Sequence, residues 1–315
     1  MIEFVLFALG LIGLLFGGEF LVKGAVGLAG KLGVSPLIIG LTIVAFGTSA
    51  PELLISLDAA LKGSGGLAVG NVVGSNVANV LLVLGVPALI AQVECGQKGV
   101  GPTMLFLLFV SVLFIVQMAD GTISRGDGLL LLSALVVFLG SQFWQARKQS
   151  QDDVVADLED EVGDIPTETW KIAAFTIGGL ILLPVSARLT VNAAIEIAEA
   201  LRVSEEVIGL TIVAIGTSLP ELATGLMAAR QHNSSVAVGN IIGSNFFNIA
   251  AIMGITATVV PLPVHGHIML FDVWVMLSTT ALLAIVAATH YCIGRWSALA
   301  LTGLYGGYLV ATASF

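Results

Sequence analysis

The sequence predicts an all-α polytopic membrane protein with ten transmembrane helices, arranged as two inverted five-helix repeats. Three observations lead to this fold class. Of the 315 residues, 57% are hydrophobic and only 10% are charged, and the mean hydropathy is +1.02. A soluble domain needs a more polar surface than this composition supplies. Apolar runs recur along nearly the whole chain, and one segment of the first half returns, without a gap, in the second half.

Each predicted span is a run of about 20 mostly apolar residues, the length that an α-helix needs to cross the hydrocarbon core. Short polar segments separate the runs. The ten runs cover residues 2–22, 36–60, 67–90, 101–119, 128–145, 171–199, 206–229, 236–260, 269–289 and 296–314. The first run lacks the basic head and the small-residue cleavage site of a signal peptide, so we interpret it as a retained helix.

A single offset of 169 residues relates the two halves of the chain. It aligns Gly47-Thr48-Ser49 with Gly216-Thr217-Ser218, and Gly74-Ser75-Asn76 with Gly243-Ser244-Asn245. From Val34 to Gly85 it gives 27 identities in 52 positions, which indicates a duplication and not merely a shared apolar composition. Because each half has an odd number of predicted helices, the second half must enter the bilayer from the opposite side. Inverted repeats are typical of secondary transporters, which bind substrate near the bilayer midplane.

We therefore divide the chain into a first repeat (1–146), an acidic linker (147–169) and a second repeat (170–315). The linker contains eight Asp and Glu residues, and a charge run of this density predicts a solvated segment. Lys and Arg residues in short loops set the orientation in the membrane. With the N-terminus outside, eight of them lie at cytoplasmic ends of helices and three lie outside. Both termini are therefore predicted to be extracytoplasmic, and the linker cytoplasmic.

The repeated segment carries Gly and Pro inside the second and the seventh predicted helices. Pro51 removes a backbone donor and Gly47 weakens the helix, so both helices are predicted to be broken. Ser49 and Glu52 have the S-x-x-E spacing of a capping box, which predicts a new half-helix starting at Ser49. Unwinding at the glycine would also free main-chain carbonyls, such as that of Ala45.

Glu52 and its counterpart Glu221 lie about halfway along these broken helices. A carboxylate at this depth is costly unless it is paired or ion-bound, so a functional role is favoured over capping alone. Thr48 shares a helix face with Glu52, and Ser75 shares one with Asn79, since each pair is four residues apart. These oxygens favour Na+, Ca2+, Mg2+ or Mn2+ over zinc or copper. The candidate ligands are Thr48, Glu52, Ser75 and Asn79 with their counterparts Thr217, Glu221, Ser244 and Asn248.

Other polar residues fit a cation site less well than this repeated set. Asn76 and Asn245 suit close packing and interhelical hydrogen bonds as well as they suit coordination. His265, His267 and Asp272 could suggest a metal site, but they follow the eighth span and have no counterpart in the first half. For these three residues a solvated turn is the predicted structure.

At the repeated residues the sequence resembles the sodium/calcium exchanger family within the calcium/cation antiporters, whose two alpha repeats carry this pair of motifs. The resemblance spans both repeats, and the helix count extends it over essentially the whole chain. It implies alternating-access exchange of Ca2+ for Na+, usually three Na+ for each Ca2+, through clustered sites. The expected partners are inorganic cations and the lipid bilayer, with neither a cofactor nor a nucleic acid. H+ should compete with Ca2+, because two buried carboxylates near each other favour a bound proton. Enzyme activity is not expected, since no H-E-x-x-H motif and no nucleophile with its base is visible.

The resemblance assigns roles residue by residue. Ca2+ would be bound by Glu52, Glu221 and the main-chain carbonyls of Thr48 and Thr217. The same glutamates would help to bind Na+, and the flanking Na+ sites would be completed by Ser49, Ser75, Ser218, Ser244 and the carbonyls of Ala45 and Ala214. Asn79 would line the centre. Asn248 departs from the family pattern, since many members have Asp at that position.

Two other functions stay open at this point. A proton/cation antiporter, or an exchanger of another divalent cation, would use the same glutamates. A passive cation channel would use similar oxygen rings, but paired acids on broken helices favour occlusion over an open pore. No large regulatory loop or targeting sequence is visible, which favours a prokaryotic cytoplasmic (inner) membrane.

Overall fold

A computed structural model of the protein describes residues 2–148, 165–201, 214–264 and 266–314. Most of these residues are helical. The helices are α1 (Ile2–Leu32), α2 (Pro36–Thr48), α3 (Ala50–Leu61), α4 (Gly65–Ile90), α5 (Val100–Gln117), α6 (Arg125–Lys148), α7 (Thr169–Ala200), α8 (Ala214–Gly216), α9 (Leu219–Arg230), α10 (Ser234–Val259), α11 (Ile268–Ala288) and α12 (Arg295–Ala313). The strands are β1 (Val93–Glu94), β2 (Thr122–Ile123), β3 (Leu262–Pro263) and β4 (Cys292–Ile293).

Among the described residues, seven helices are long and apolar enough to cross a bilayer. An eighth span results if α2 and α3, which meet at a bend of 43°, are counted together. The sequence predicted ten. The seventh predicted span, 206–229, includes residues 206–213, which lie outside the described part of the chain, and α12 carries too many polar and glycine residues to be counted. The polytopic membrane fold is confirmed, whereas the count of ten and the inverted arrangement stay predictions.

The predicted break in the second helix is present. Helix α2 ends at Thr48, and α3 begins at Ala50 with Pro51 in its first turn. Proline is tolerated there because the first amide groups of a helix have no intrahelical acceptor. In the second half, a turn at Thr217–Ser218 separates α8 from α9 in the same way.

Among the described residues, four helices contain a π-helical turn, in which the helix widens by one residue per turn. These turns lie at Gly40–Val44 in α2, Asn79–Val83 in α4, Asn248–Met253 in α10 and Ile268–Asp272 in α11. The turns in α4 and α10 start at corresponding asparagines of the two halves. Such turns are frequent at functional sites, and these two lie in the helices that form the centre of the fold.

Helices α4 and α10 form this centre. The spanning window of α10 is completely buried inside the protein and that of α4 is 72% buried, against 17% for α6. Apolar side chains on the two central helices, including Val72, Val77, Ile242 and Phe246, are fully buried. The central helices are therefore shielded by the other helices, so polar side chains on them face protein.

Helices α1 and α7 pack against each other as a long antiparallel pair. A Cβ atom on Gly10 would lie 2.9 Å from the backbone nitrogen of Thr190, and one on Gly24 would lie 2.6 Å from that of Thr176. Both distances are too short for a real side chain, so glycine is what permits this approach. Small residues at such contacts are typical of helix pairs in membranes.

Short strands join the loops of the two halves. Strand β1 pairs with β4 through Val93 and Ile293, and β2 pairs with β3 through Ile123 and Leu262. Of the acidic linker, residues 149–164 lie outside the described part of the chain. Glu168 is exposed, as a solvated linker predicts, and a hydrogen bond from Lys171 lowers the pKa of its carboxyl.

Candidate cation-binding site

Glu52 and Glu221 lie in the first turns of α3 and α9 and are fully buried, with 1% and 0% of their surfaces exposed. Within the described part of the chain, no Lys or Arg side chain forms an ion pair with either of them. Two buried acids without a basic partner require a cation or a proton.

Several buried oxygens on the predicted site residues accept no hydrogen bond. These are Oε2 of Glu52 and Glu221, Oδ1 of Asn79 and Asn248, and Oγ of Ser218. Buried polar atoms are nearly always hydrogen-bonded, and an unpaired one costs about 1–3 kcal/mol. The glutamate and asparagine oxygens form two pairs related by the offset of 169. Carboxylate and amide oxygens are the ligands that hard cations prefer, so the residues present fit such ions.

The break in the first half contacts the site residues of the second half. The hydroxyl of Ser49 donates a hydrogen bond to Oε1 of Glu221 at 3.0 Å. The hydroxyl of Thr48 donates to Oδ1 of Asn240 at 3.1 Å and lies 3.4 Å from Oγ of Ser244. All five side chains are buried. The structure therefore brings predicted residues of both halves into one cluster.

The predicted capping box is wrong. Ser49 and Ser218 stand at the N-cap positions of α3 and α9, but neither side chain makes a capping hydrogen bond. Both residues have φ −86° and ψ 6°, whereas a capping residue usually has an extended conformation that aims its side chain at the helix amides. The carboxyl groups of Glu52 and Glu221 are therefore not required as reciprocal caps.

The Ala45 carbonyl is not freed in the way that the sequence suggested. It accepts the Ser49 amide at 3.1 Å, because the helix continues to Thr48. The Thr48 hydroxyl also lies 3.4 Å from it, but its one hydrogen is shared with Asn240, which is closer at 3.1 Å. With the hydroxyl hydrogen on Asn240, the Ala45 carbonyl keeps one of its two lone pairs for a ligand. The carbonyl of Gly47 loses its helical donor instead, since Pro51, four residues later, has no N–H.

The corresponding turn in the second half differs. The Ser218 amide donates to the carbonyl of Ile215, three residues earlier, at 3.1 Å. Thr217 is buried, and Ala214 is the first residue of α8. The two breaks therefore share a sequence but differ in their hydrogen bonds, so the site is not symmetric at this level.

Four asparagines of α4 and α10 form a hydrogen-bonded chain across the centre, in the order Asn79, Asn245, Asn76 and Asn248. Asn79 Nδ2 donates to Asn245 Oδ1 at 3.0 Å, and Asn248 Nδ2 donates to Asn76 Oδ1 at 3.0 Å. Asn76 and Asn245 each donate to the main-chain carbonyl of the other, at 3.3 and 3.4 Å. Each bond has a counterpart at the offset of 169. Asn76 and Asn245 are thus interhelical hydrogen-bonding residues.

Ser75, the last of the predicted ligands, borders a cavity of about 150 Å³. The opposite wall of this cavity is formed by α12, through Tyr305 and Tyr308. Asn71 also lines it, one turn before Ser75. Ser75 is itself buried, so it lies between this cavity and the centre of the fold.

Asn240 was missed by the sequence reasoning, although it accepts the hydrogen bond of Thr48 from the other half. The signal was present, because a Gly-Asn pair is repeated at Asn71 and Asn240. The two asparagines nevertheless bind differently. Asn71 donates to Ser56 of its own half at 3.0 Å, and the counterpart of Ser56 is Gly225, which offers no side chain.

The polar cluster after β3 is not a solvated turn. His267 directly precedes α11, and Asp272 lies in the first turns of α11 and is buried. Nδ1 of His267 lies 2.8 Å from one carboxyl oxygen of Asp272, and the hydroxyl of Tyr308 donates to the other at 3.0 Å. These bonds tie α12 to α11. His265 lies outside the described residues.

The family model described as sodium/calcium exchanger protein matches residues 2–144 and 171–313. The second matched segment begins and ends 169 residues after the first. The chain is 38% identical over 279 residues to the putative antiporter CaxA of Alkalimonas amylolytica, with 88% of this chain and 87% of the relative covered. It is 34% identical over 350 aligned residues to the sodium/calcium exchanger MaX1 of Methanosarcina acetivorans, with 98% of each covered.

Solved structures of the sodium-calcium exchanger NCX_Mj are similar over the whole length. A structure of this exchanger soaked with Na+ and Sr2+ superposes with a TM-score of 0.84 at 32% identity, and the match covers 100% of this chain and 99% of that chain. A structure soaked with Na+ and Ca2+ gives a TM-score of 0.83 at 33% identity. The chain therefore belongs to the sodium/calcium exchanger family.

Proposed function

We propose that this protein is a secondary active antiporter that exchanges Ca2+ for Na+ by alternating access. The observation that carries the proposal is the buried pair of Glu52 and Glu221, surrounded by oxygens that accept no hydrogen bond. Membership of a family of cation exchangers supports it, as do the names of the relatives MaX1 and NCX_Mj. The family consists of transporters and not of enzymes.

For Ca2+, the proposed ligands are the carboxylates of Glu52 and Glu221 and the main-chain carbonyls of Thr48 and Thr217. Ca2+ takes six to eight oxygens in protein sites, and carboxylates that meet no basic partner supply both the charge and the donors. The Ser49 hydroxyl, three residues before Glu52, donates to Glu221 at 3.0 Å, which supports one ion shared by the two acids.

For Na+, the proposed sites flank the Ca2+ site. The further ligands are Ser49, Ser75, Ser218, Ser244 and the main-chain carbonyls of Ala45 and Ala214, with Asn79 and Asn248 lining the centre. The unpaired oxygens of Ser218, Asn79 and Asn248 support their inclusion. The Ser49 hydroxyl lies 3.0 Å from Glu221, so one ion could contact both.

We also propose the ten-span architecture, with inverted repeats at 1–146 and 170–315 joined by the linker 147–169. The hydrogen bonds of the asparagine chain support it, because each has a counterpart at the offset of 169. The strand pairs β1–β4 and β2–β3 support it as well, since each joins two loops that the ten-span order places on the same side.

Alternating access requires one part of the fold to move against another. We propose α1 and α7 as the sliding gate. Their antiparallel contact is lined by glycines such as Gly10 and Gly24, so few side chains interlock there. An ion-loaded pocket would allow the gate to move, and a charged, partly filled pocket would resist it. This rule couples the two ions and makes the transport an exchange.

The function is tested by counter-ion flux in proteoliposomes. Vesicles loaded with Na+ are expected to take up 45Ca from a Na+-free medium, and vesicles loaded with choline are not. Uptake that ignores the Na+ gradient but follows an imposed pH gradient would favour proton/cation antiport instead. Ca2+ flux that needs no counter-ion at all would indicate a channel.

The proposed orientation is tested by labelling a native cysteine. Cys95 and Cys292 are free thiols; Cys292 is exposed, whereas burial raises the pKa of Cys95 to about 12. The thiolate is the reactive form, so only Cys292 should react with a membrane-impermeant maleimide. We expect labelling in inside-out vesicles and none in right-side-out vesicles, with Cys292→Ser as the unlabelled control. Labelling from the outer face would place both termini in the cytoplasm.

A further inference from the structure

The hydrogen-bonded chain of four asparagines fixes the orientation of two predicted ligands, and its role in ion binding rests on the proposed function. We propose that Asn76 and Asn245 are positioning residues, which hold the amides of Asn248 and Asn79 with their carbonyl oxygens turned towards the cation site. Neither positioning residue would touch an ion. Each would act through one partner, and that partner lies in the other half of the chain.

The partners of Asn245 fix the orientation of its side-chain amide. A main-chain carbonyl can only accept, so the side-chain atom of Asn245 that faces the carbonyl of Asn76 at 3.4 Å must be Nδ2. Oδ1 of Asn245 is then the atom that faces Asn79. An oxygen can only accept from this neighbour, so Asn79 must turn its own Nδ2 towards it, and the distance is 3.0 Å.

The orientation of Asn79 follows from that bond. With Nδ2 committed to Asn245, the Oδ1 atom of Asn79 points away from Asn245, and it accepts no hydrogen bond. If this amide were turned round, Nδ2 would occupy that place. An N–H group repels a cation, whereas a carbonyl oxygen binds it. These two hydrogen bonds, from Asn245 to the Asn76 carbonyl and from Asn79 to Asn245, form a relay that fixes whether Asn79 presents an oxygen or an N–H group to an ion.

A second relay, related to the first by the offset of 169, starts at Asn76 and orients Asn248. Asn76 Nδ2 donates to the main-chain carbonyl of Asn245 at 3.3 Å, which turns Oδ1 of Asn76 towards Asn248. Asn248 Nδ2 donates to that oxygen at 3.0 Å, and its own Oδ1 is unpaired. All four asparagines are almost completely buried, so water does not compete for these bonds. Both relays cross the contact of α4 and α10, so they couple the two halves.

A double-mutant cycle tests the inference, because a residue that acts only through another has no effect once that other is removed. The variants are Asn76→Leu, Asn245→Leu, Asn79→Ala, Asn248→Ala and the four doubles that combine one Leu with one Ala. The readouts are KM and Vmax for Na+-driven Ca2+ uptake in proteoliposomes, and the shift in melting temperature on adding Ca2+. Each single variant is expected to raise KM by about tenfold, the size of effect that one lost hydrogen bond of about 1.4 kcal/mol gives.

The expected result is a specific pairing. In the Asn248→Ala background, Asn76→Leu should change KM by less than about twofold, whereas Asn245→Leu should retain its full effect. The Asn79→Ala background should show the reverse. The crossed doubles are therefore internal controls. A structural role would predict the same effect of each Leu variant in every background.

Met276→Leu is the matched control for packing. The buried Met276 sulfur accepts a hydrogen bond from Asn76 Nδ2 at 3.7 Å, so this change removes a weak acceptor in the same region and keeps the four hydrogen bonds among the asparagines. Its KM should equal that of the wild type. If the Leu variants fail to fold, Asn76→Ala and Asn245→Ala repeat the cycle with a smaller side chain.

The measurements distinguish failure of the proposed function from failure of the positioning role. Wild-type protein without Na+-driven Ca2+ uptake would reject the proposed function. Wild-type uptake together with equal effects of Asn76→Leu in both Ala backgrounds would reject the positioning role and leave the function standing.

Discussion

Replacing Glu52 or Glu221 by Gln is expected to lower Na+-driven Ca2+ uptake to below about 1% of the wild type. Each substitution removes one of the two buried charges and keeps the size of the side chain. A lost charged contact is worth up to about 3 kcal/mol, and each 1.4 kcal/mol is a factor of ten in binding. The measurement is 45Ca uptake into Na+-loaded proteoliposomes at matched protein density.

The same variants should keep the fold or stabilise it. Without ions, two buried carboxyl groups are unfavourable when charged, so removing one charge should leave the melting temperature equal or higher. The wild type should gain stability when Ca2+ is added, because a ligand that binds the native state shifts unfolding, and the Gln variants should not. A fall in activity caused by misfolding would show the opposite pattern in the ion-free protein.

Glu19→Gln is the matched control for these variants. Glu19 also lies in a membrane helix, but it is partly exposed and its carboxylate is 2.7 Å from Lys23. Its loss should change uptake by less than about twofold, since an ion pair of this kind is worth only about 0–1 kcal/mol. Wild-type-like exchange by both Glu52→Gln and Glu221→Gln would contradict the proposed site.

A membrane potential is expected to drive the exchange, and this is the second large effect. In the proposed site the two ionised glutamates would supply a charge of −2, because Asn79 and Asn248 are neutral. One Ca2+ then leaves the loaded site neutral, and three Na+ leave it at +1. In Na+-loaded vesicles each cycle would bring two charges in and take three out. An inside-positive potential should therefore favour Ca2+ uptake, and an inside-negative one should oppose it.

The size of this effect can be stated. Moving one charge through 100 mV is worth about 2.3 kcal/mol, which corresponds to a change of about 50-fold in the equilibrium Ca2+ ratio. The potential is set with valinomycin and K+ gradients, and equal K+ on both sides is the control. A Ca2+ ratio that does not change with potential would indicate electroneutral exchange, with two Na+ or two H+ for each Ca2+.

The sequence predicted the membrane class, and it named four of the five side chains of the buried cluster and missed Asn240, because these predictions depend on features with strong local signals. Long apolar runs indicate membrane-spanning helices, and a duplicated motif indicates that both copies have the same role. The sequence was wrong about the capping box, since an S-x-x-E spacing is compatible with capping but does not set the conformation of Ser49. It also misjudged His267 and Asp272, because their partner Tyr308 is 36 residues beyond Asp272.

By itself, the sequence determined that this chain belongs in a membrane and that its acids, hydroxyls and amides occur twice at one offset. These properties follow from composition and spacing, which no folding event changes. Only the tertiary structure decided which oxygens are paired. Ser49 donates to Glu221, and Asn76 and Asn245 bind Asn248 and Asn79, across 166 to 172 residues. A hydrogen-bond partner at that separation depends on how the two halves pack, so local sequence patterns cannot predict which residue it is.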